Sequence, residues 1–328
     1  MKYLLGVDIG SSSVKCALVA IDSGECVASA FSPSSEMKIV SPEKGFAEQD
    51  PNLWWDELCN AMSLLANEYA FDKDEIAAIG ISYQMHGLVA VDRDGIPVMP
   101  SIIWCDSRAV ETGNAAFKSL GEEFCLAHYL NSPGNLTASK LKWVKDNRPE
   151  TYARIHKIML PGDYIAFRTT GEMKTTVSGL SEGILWDAKN ETISHDLLKH
   201  YGISESLLCS TVPQFGEQGF VTPQAAEALG ISANIPVSYR AGDQPNNAFS
   251  LNVLEPGEIA ATAGTSGVVY GVIDQPSYDP QSRVNTFVHV NHTEAKKRYG
   301  VLLCINGTGI LNSWLQKNVF SGHSYPEM

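Results

Sequence analysis

The stretch LLGVDIGSSSVKCALV, residues 4–19, predicts two apolar strands joined by a short polar turn. Residues 4–7 and 14–21 form the strand runs, and residues 10–13, the serine turn, separate them. A buried strand normally ends in another apolar residue, yet Asp8 stands at the end of the first run. The chemistry of this carboxylate is the first question that the sequence raises.

The serine turn predicts a phosphate-binding loop. Gly10 allows the backbone to approach a ligand closely, and Ser11, Ser12 and Ser13 add hydroxyls to a run of backbone N–H donors. A carboxylate beside phosphate needs a cation between them, so Asp8 indicates a Mg²⁺ position. The turn leads into a strand and carries no G-x-x-x-x-G-K-[ST] pattern, which argues against a P-loop and a dinucleotide fingerprint. A simple turn residue remains the alternative for Asp8.

A second turn, AGTSG at residues 263–267, also lies between two apolar runs. It lacks the aspartate but keeps the donors, at Gly264, Thr265 and Ser266. Two such turns facing each other would hold a triphosphate from both sides. The sequence therefore predicts the same strand–turn–strand device in each of two domains.

Two further loops predict an acceptor site. Asp243 follows the strand run 235–239, and phosphoryl transfer to an alcohol needs a group that accepts the hydroxyl proton. The QMHG loop, residues 84–87, follows the strand run 76–82. There His86 would bond a sugar hydroxyl and Met85 would pack on a carbon face. A helix-capping aspartate and a structural histidine are the respective alternatives.

The WCDSR loop, residues 104–108, combines an indole for stacking with an acid and a base. Trp104 and Asp106 are candidate substrate contacts. The alternative is an ion pair between Asp106 and Arg108 that only shapes the loop.

Composition narrows the class of protein. The 328 residues suggest about two domains, and strands alternating with helices predict an α/β fold. The net charge of −13 disfavours a nucleic-acid partner, and no apolar run is long enough to predict a membrane span. The seven cysteines form no C-x-x-C pair, which predicts reduced, mostly buried thiols and a cytoplasmic protein.

Taken together, these segments resemble the FGGY family of carbohydrate kinases. The matching pieces, in order, are VDIGSSSVK (7–15), EQDP (48–51) with Trp54 and Trp55, QMHG (84–87), WCDSR (104–108), LPGDY (160–164), GDQ (242–244) and GTSG (264–267). The resemblance runs from residue 3 to about residue 273. No single piece is decisive, but the set in this order is specific.

The resemblance implies an actin-like (RNase H-like) ATPase fold of two domains with a nucleotide cleft between them. It implies ATP and Mg²⁺ as cofactors and a ketose as acceptor, with the QMHG tetrad favouring xylulose over glycerol or ribulose. The implied sites are catalytic Asp243 and Asp8, which also hold the metal; sugar contacts Met85, His86, Gly87, Trp104, Asp106, Asp243 and Gln244; and phosphate contacts Gly10, Ser11, Ser12, Ser13, Lys15, Gly264, Thr265 and Ser266.

Two departures from the family pattern matter. Gln244 follows the implied catalytic aspartate where xylulose-specific members commonly have Asn, which keeps ribulose, glycerol or a related polyol as alternative acceptors. The chain also stops at Met328, before the family's Gly-rich adenosine-binding segment. We therefore expect a first domain at residues 1–253 and a truncated second domain at 254–328, and a sugar-binding protein without kinase activity is the competing function. A homodimer is the expected assembly.

Overall fold

The computed structural model describes residues 2–263, 267–305 and 308–328. The chain divides into two compact units, Met1–Asp243 (unit 1) and Gln244–Met328 (unit 2). This division comes earlier in the chain than the one expected after residue 253.

Unit 1 contains short and long strands. They are β1 (Tyr3–Ile9), β2 (Val14–Ala20), β3 (Cys26–Ser32), β4 (Glu48–Gln49), β5 (Ile76–Tyr83), β6 (Val89–Val91), β7 (Ser101–Ile102), β8 (Lys157–Met159), β9 (Lys174–Thr175), β10 (Trp186–Asp187), β11 (Thr192–Ile193), β12 (Ser210–Thr211) and β13 (Val237–Gly242). The main sheet has the order β13-β5-β1-β2-β3. The hairpin predicted from residues 4–21 is its antiparallel half, since β1, β2 and β3 pair antiparallel. β5 and β13 run parallel to β1, which places their carboxyl ends at one edge.

The helices that begin in unit 1 are interspersed with these strands along the chain. They are α1 (Pro51–Glu68), α2 (Val110–Leu120), α3 (Glu122–Tyr129), α4 (Thr137–Asn147), α5 (Pro149–Ala153), α6 (Pro161–Thr170), α7 (Val177–Glu182), α8 (His195–Tyr201), α9 (Pro223–Leu229) and α10 (Asp243–Ser250). Of these, α1 and α6 pack against the main sheet. The start of α1 follows from its sequence, because the Asp50 side chain accepts a hydrogen bond from the N–H of Asn52 at 2.9 Å and Pro51 is the first residue of the helix.

The core of unit 1 lies between the sheet and helices α1, α6 and α9. Alternate residues of β1 are buried, which is the two-residue period of a strand with one covered face. α1 contributes a stripe at helical spacing that includes Trp54, Leu58, Met62 and Leu65. Each fully buried side chain of this size stabilises the fold by about 1.5–3 kcal/mol relative to exposure.

Unit 2 contains an antiparallel sheet of four described strands in the order β14-β15-β17-β16. Its elements are β14 (Ile259–Ala263), β15 (Gly267–Ile273), β16 (Asn285–Val288), β17 (Tyr299–Ile305) and helix α11 (Thr308–Asn318). β14 and β15 pair as a hairpin, with Ala263 opposite Gly267. The prediction that a strand–turn–strand unit recurs is confirmed for the strands, while Gly264, Thr265 and Ser266 lie outside the described residues.

The cysteines only partly follow expectation. All seven are free of disulfide bonds, but only Cys16, Cys125 and Cys209 are buried. Cys26, Cys105 and Cys304 are exposed, so the prediction of mostly buried thiols is wrong. None of the helices in the described part of the chain is long and apolar enough to cross a membrane.

Candidate active site

Three loops leave the same edge of the unit 1 sheet. Tyr83, the last residue of β5, is in register with Ile9 of β1 and with Gly242 of β13. The serine turn follows β1, the QMHG loop follows β5, and Asp243 follows β13. Since neighbouring strands lie about 4.8 Å apart and β5 lies between β13 and β1, the ends of β13 and β1 are roughly 10 Å apart along the sheet. The fold thus gathers three of the predicted site segments.

The serine turn is held in place by its carbonyl groups. The Ser11 carbonyl accepts a hydrogen bond from Gln49 Nε2 at 2.7 Å, and the Ser12 carbonyl accepts one from the N–H of Met37 at 2.8 Å. The indole Nε1–H of Trp104 donates to Ser11 Oγ at 3.3 Å. Trp104, a predicted sugar contact with half of its surface exposed, therefore lies beside the predicted phosphate loop.

Gly10 and Asp8 have the local geometry that the phosphate and metal predictions need. A Cβ on Gly10 would lie 2.9 Å from the Ser13 carbonyl oxygen, so the tight turn requires glycine. The Asp8 side chain is 35% exposed and pairs with Lys15, whose Nζ lies 3.4 Å from Asp8 Oδ2. An exposed pair of this kind contributes little stability, so the carboxylate remains accessible to a cation.

Gln49 joins the serine turn to the QMHG loop, a role that sequence reasoning missed. Its Nε2 donates to the Ser11 carbonyl, and its Oε1 accepts hydrogen bonds from the indole of Trp54 at 3.1 Å and from Gln84 Nε2 at 3.5 Å. The side chain is buried. The signal for this role in the sequence was that Gln49 belongs to the EQDP motif (48–51).

His86 is fixed by contacts on its backbone and its ring. Its φ is +60°, a conformation that costs free energy in a residue other than glycine. The N–H donates to Glu182 Oε1 at 3.1 Å, and Nδ1 lies 3.0 Å from the Glu182 carbonyl oxygen. A carbonyl only accepts, so Nδ1 carries the proton and Nε2 is the acceptor. Burial, together with the charge of Lys140, lowers the pKa of His86 to about 3, so the imidazole is neutral near pH 7.

Lys140 and Glu182 are buried ionisable residues that sequence reasoning also missed. Lys140 Nζ donates to the carbonyls of His86 at 2.7 Å and Ile103 at 3.0 Å, which ties the QMHG loop to the WCDSR loop. Burial lowers the pKa of Lys140 to about 7, although Asp106 raises it. Burial raises the pKa of Glu182 well above its usual value, and the nearby Asp243 raises it further.

Met85 packs where β13 ends. A Cβ on Gly242 would lie 2.5 Å from Met85 Cγ and 2.7 Å from Glu182 Oε2. Glycine at this position therefore lets the buried Met85 and Glu182 approach the strand end that carries Asp243. Asp243 itself is half-buried and is the first residue of α10.

The Asp106 side chain has a different place from the one predicted. It is completely buried, and its carboxylate accepts hydrogen bonds from Arg108 Nη2 at 2.7 Å and from the N–H of Ala47 at 2.6 Å. Arg108 also pairs with Glu48 at 2.8 Å and lies over the Phe46 ring at 3.8 Å. These contacts fit the alternative of an ion pair that shapes the loop, so we assign that role to the Asp106 carboxylate in place of a sugar contact.

The LPGDY segment supports the QMHG loop from behind. A Cβ on Gly162 would lie 2.0 Å from the Tyr83 ring, and a Cβ on Gly87 would lie 2.7 Å from Pro161 Cγ. The start of α6 therefore packs directly against both ends of the loop. Gly87, a predicted sugar contact, is required by this packing.

Below the site, a buried ion pair ties β13 to α6. Arg240 Nη1 donates to Asp163 Oδ1 at 3.1 Å, and Arg240 Nε donates to Gln218 at 2.9 Å. Removing one member would leave an uncompensated buried charge. The pair thus fixes α6 against the strand whose end carries Asp243.

The residues present fit Mg²⁺ and phosphate. No group of three or more metal-ligating side chains occurs among the described residues, whereas Mg²⁺ bound with nucleotide usually takes one or two carboxylates and completes its shell with phosphate and water oxygens. The accessible Asp8 carboxylate beside the serine turn suits this arrangement.

Comparison with known proteins decides the family. The model for the N-terminal domain of the FGGY family of carbohydrate kinases matches residues 3–250. The chain belongs to the FGGY family. It is 30% identical to the xylulose kinase of Staphylococcus xylosus over 328 residues, 99% of this chain and 65% of that protein. It is 29% identical to the xylulose kinase of Escherichia coli strain K12 over 87% of this chain and 57% of that protein.

Solved FGGY structures share the fold. A xyloylose kinase from Brucella ovis matches with a TM-score of 0.87 and 27% identity over 97% of this chain and 64% of that chain. A Plasmodium falciparum glycerol kinase with ADP matches with a TM-score of 0.87 and 21% identity over 99% of this chain and 65% of that chain, which shows the fold alone. The predicted α/β, actin-like fold is confirmed. The chain spans about two thirds or less of the length of these relatives.

Proposed function

We propose that the protein transfers the γ-phosphate of ATP to a hydroxyl of a ketose, with conversion of D-xylulose to D-xylulose 5-phosphate as the leading reaction. The observation that carries this proposal is the meeting of the serine turn, the QMHG loop and Asp243 at one edge of the unit 1 sheet. The xylulose kinase names of the curated relatives support the choice of sugar.

In this proposal the residues divide between sugar and phosphates. Met85 supplies apolar contact and His86 Nε2 accepts a hydrogen bond from a sugar hydroxyl. Trp104 and Gln244 complete the proposed sugar contacts. The proposed phosphate and metal contacts are Gly10, Ser11, Ser12, Ser13, Lys15, Gly264, Thr265 and Ser266 for the phosphates, and Asp8 with Asp243 for Mg²⁺.

Asp243 is the proposed base. Its carboxylate takes the proton of the attacking hydroxyl as the new O–P bond forms, and ADP leaves with the electrons of the broken P–O bond. In a loose transition state little proton transfer needs to precede bond formation, so an ordinary carboxylate suffices. Bound Mg²⁺ supplies charge neutralisation at the phosphates. The serine turn and Lys15 orient the transferred group.

A sugar-binding function without phosphoryl transfer is the second candidate. The observation that favours it is that the proposed sugar contacts Met85, His86 and Trp104 all lie within unit 1. Ribulose, glycerol and related polyols remain alternative ligands, because Gln244 departs from the xylulose-type pattern.

A ligand panel distinguishes these functions. We expect D-xylulose to bind by calorimetry more tightly than D-ribulose or glycerol, and to give the fastest ADP release with ATP and Mg²⁺. The panel is run on this chain and on any longer form of the gene. Sugar binding without ADP release in both forms supports the second candidate, and absence of binding by every ligand contradicts both.

Asp243→Ala tests the role of the base. Because the carboxylate accepts the proton but His86 and Met85 remain, we expect at least a 100-fold loss of turnover with sugar binding still measurable. Asp22→Ala is the matched control, since Asp22 is an exposed turn residue after β2, at the opposite edge of the sheet. Turnover in Asp243→Ala equal to that of the control would refute the assignment.

A further inference from the structure

We propose that Glu182 and Lys140 are positioning residues that clamp His86 so that its imidazole presents Nε2 as a hydrogen-bond acceptor to the sugar. The inference rests on the proposed function, because it concerns the same sugar site. It adds two residues that belong to none of the recognised sequence motifs.

The clamp holds three polar groups of one residue. Glu182 accepts the His86 N–H with its carboxylate and the Nδ1–H with its main-chain carbonyl, at 3.1 and 3.0 Å. Lys140 donates to the His86 carbonyl at 2.7 Å. These contacts fix both the backbone and the tautomer of the ring.

The backbone of His86 needs such support. A positive φ in a residue with a side chain persists only where the surroundings hold it. The same Lys140 ammonium also holds the Ile103 carbonyl, so the clamp has a fixed position relative to the WCDSR loop. Loosening either partner would let the His86 peptide rotate and Nε2 move away from the ligand.

Burial argues against a role in packing alone. Lys140 is completely buried and Glu182 almost so. Apolar residues of similar volume usually stabilise a core at least as well as buried ionisable groups, because these lose their hydration. Polar side chains placed on His86 from two different helices, α4 and α7, are therefore better explained by the orientation they impose.

Sugar binding tests the clamp with paired variants. We expect Glu182→Ala and Lys140→Met each to weaken D-xylulose binding by about 3- to 10-fold, the effect of one lost hydrogen bond. Glu182→Gln is the conservative partner, because its amide oxygen still accepts the His86 N–H, and we expect a change under twofold. Equal losses in Glu182→Gln and Glu182→Ala would contradict the proposal.

A double-mutant cycle separates action through His86 from direct contact with the sugar. In a His86→Ala background, Glu182→Ala has nothing left to position, so we expect no further loss of affinity beyond twofold. Full additivity of the two losses would overturn the proposal. Thermal unfolding of each variant identifies those that fold, and binding is compared among these.

The ring tautomer provides a readout that needs no ligand. In ¹⁵N-labelled protein, long-range ¹H–¹⁵N spectra distinguish Nδ1–H from Nε2–H, and loss of a signal in His86→Ala assigns it among the eight histidines. We expect the Nδ1–H tautomer in the native protein and a mixture in Glu182→Ala and Lys140→Met. An unchanged tautomer in both variants refutes the clamp. Because this readout needs no ligand, it tests the clamp even if no sugar binds, a result that would refute the proposed function separately.

Discussion

At the scale of single residues, buried ionisable groups lie next to the candidate site, among them Lys140 and Glu182. Lys140 falls on the buried stripe of α4 together with Leu141 and Val144, at helical spacing. A lysine in that stripe was a readable signal, yet only the folded chain shows that its ammonium bonds two loop carbonyls. Its lowered pKa has a consequence for stability.

We expect the free energy of unfolding of the native protein to rise relative to that of Lys140→Met as pH increases above 7. Lys140 has a pKa of about 7 in the folded state and an ordinary value of 10.5, so between these values the unfolded state binds more protons. The slope of the unfolding free energy against pH approaches about 1.4 kcal/mol per pH unit between these two pKa values. Below pH 7 the slope from Lys140 disappears, because both states are protonated. Urea unfolding at pH 6, 7, 8 and 9 measures it. A constant difference between the two proteins over this range would contradict the prediction.

At the scale of elements, the sequence motifs divide into those that carry the proposed ligand contacts and those that pack against them. The LPGDY segment matches the family pattern, but the resemblance assigned no binding or catalytic role to it. Its Gly162 allows α6 to contact the Tyr83 ring at the base of the QMHG loop. This packing was not visible in the sequence because the two segments are far apart along the chain.

Gly162→Ala is expected to destabilise unit 1 by about 1–3 kcal/mol, since the added Cβ would lie 2.0 Å from the Tyr83 ring. Sugar affinity should fall as well, because the ring precedes the QMHG loop. Gly6→Ala is the matched control, since a Cβ there meets the Ala17 carbonyl oxygen at an ordinary 3.9 Å. Urea unfolding and calorimetry measure both effects, and equal stabilities of the two variants would disprove the packing argument.

At the scale of the whole molecule, unit 2 carries apolar side chains on its surface. On α11, Leu311 and Trp314 are more than half exposed and lie three residues apart, on one face. Val319, Phe320 and Tyr325 follow and are also exposed. An apolar surface of this kind favours association. The homodimer expected from the family stays a prediction.

We expect the elution volume in gel filtration to decrease as protein concentration rises, because the α11 surface is removed from water when chains associate. Leu311→Ser combined with Trp314→Ser should abolish this shift. Ile96→Ser provides the control, since Ile96 is an equally exposed apolar residue in unit 1. A shift that persists in the α11 variant would show that the association does not involve α11, and an equal loss in the control would show that the effect is not specific to α11.

The sequence by itself determined the local elements and the chemistry they carry. The antiparallel hairpin around the serine turn, the start of α1 at Asp50 and the strand runs before the QMHG loop and Asp243 all follow from apolar periodicity and turn residues, which depend only on neighbours along the chain. The matching motifs in their order also determined the family.

Only the tertiary structure decided which of these residues meet and what surrounds them. The register of β1, β5 and β13 brings the three loops to one edge, while burial converts Asp106 into a partner of Arg108. Glu182, Lys140 and Gln49 acquire their roles from segments distant in sequence. The physical reason is that hydrogen bonding and desolvation depend on distances in space, which a pattern of residue types along one chain does not specify.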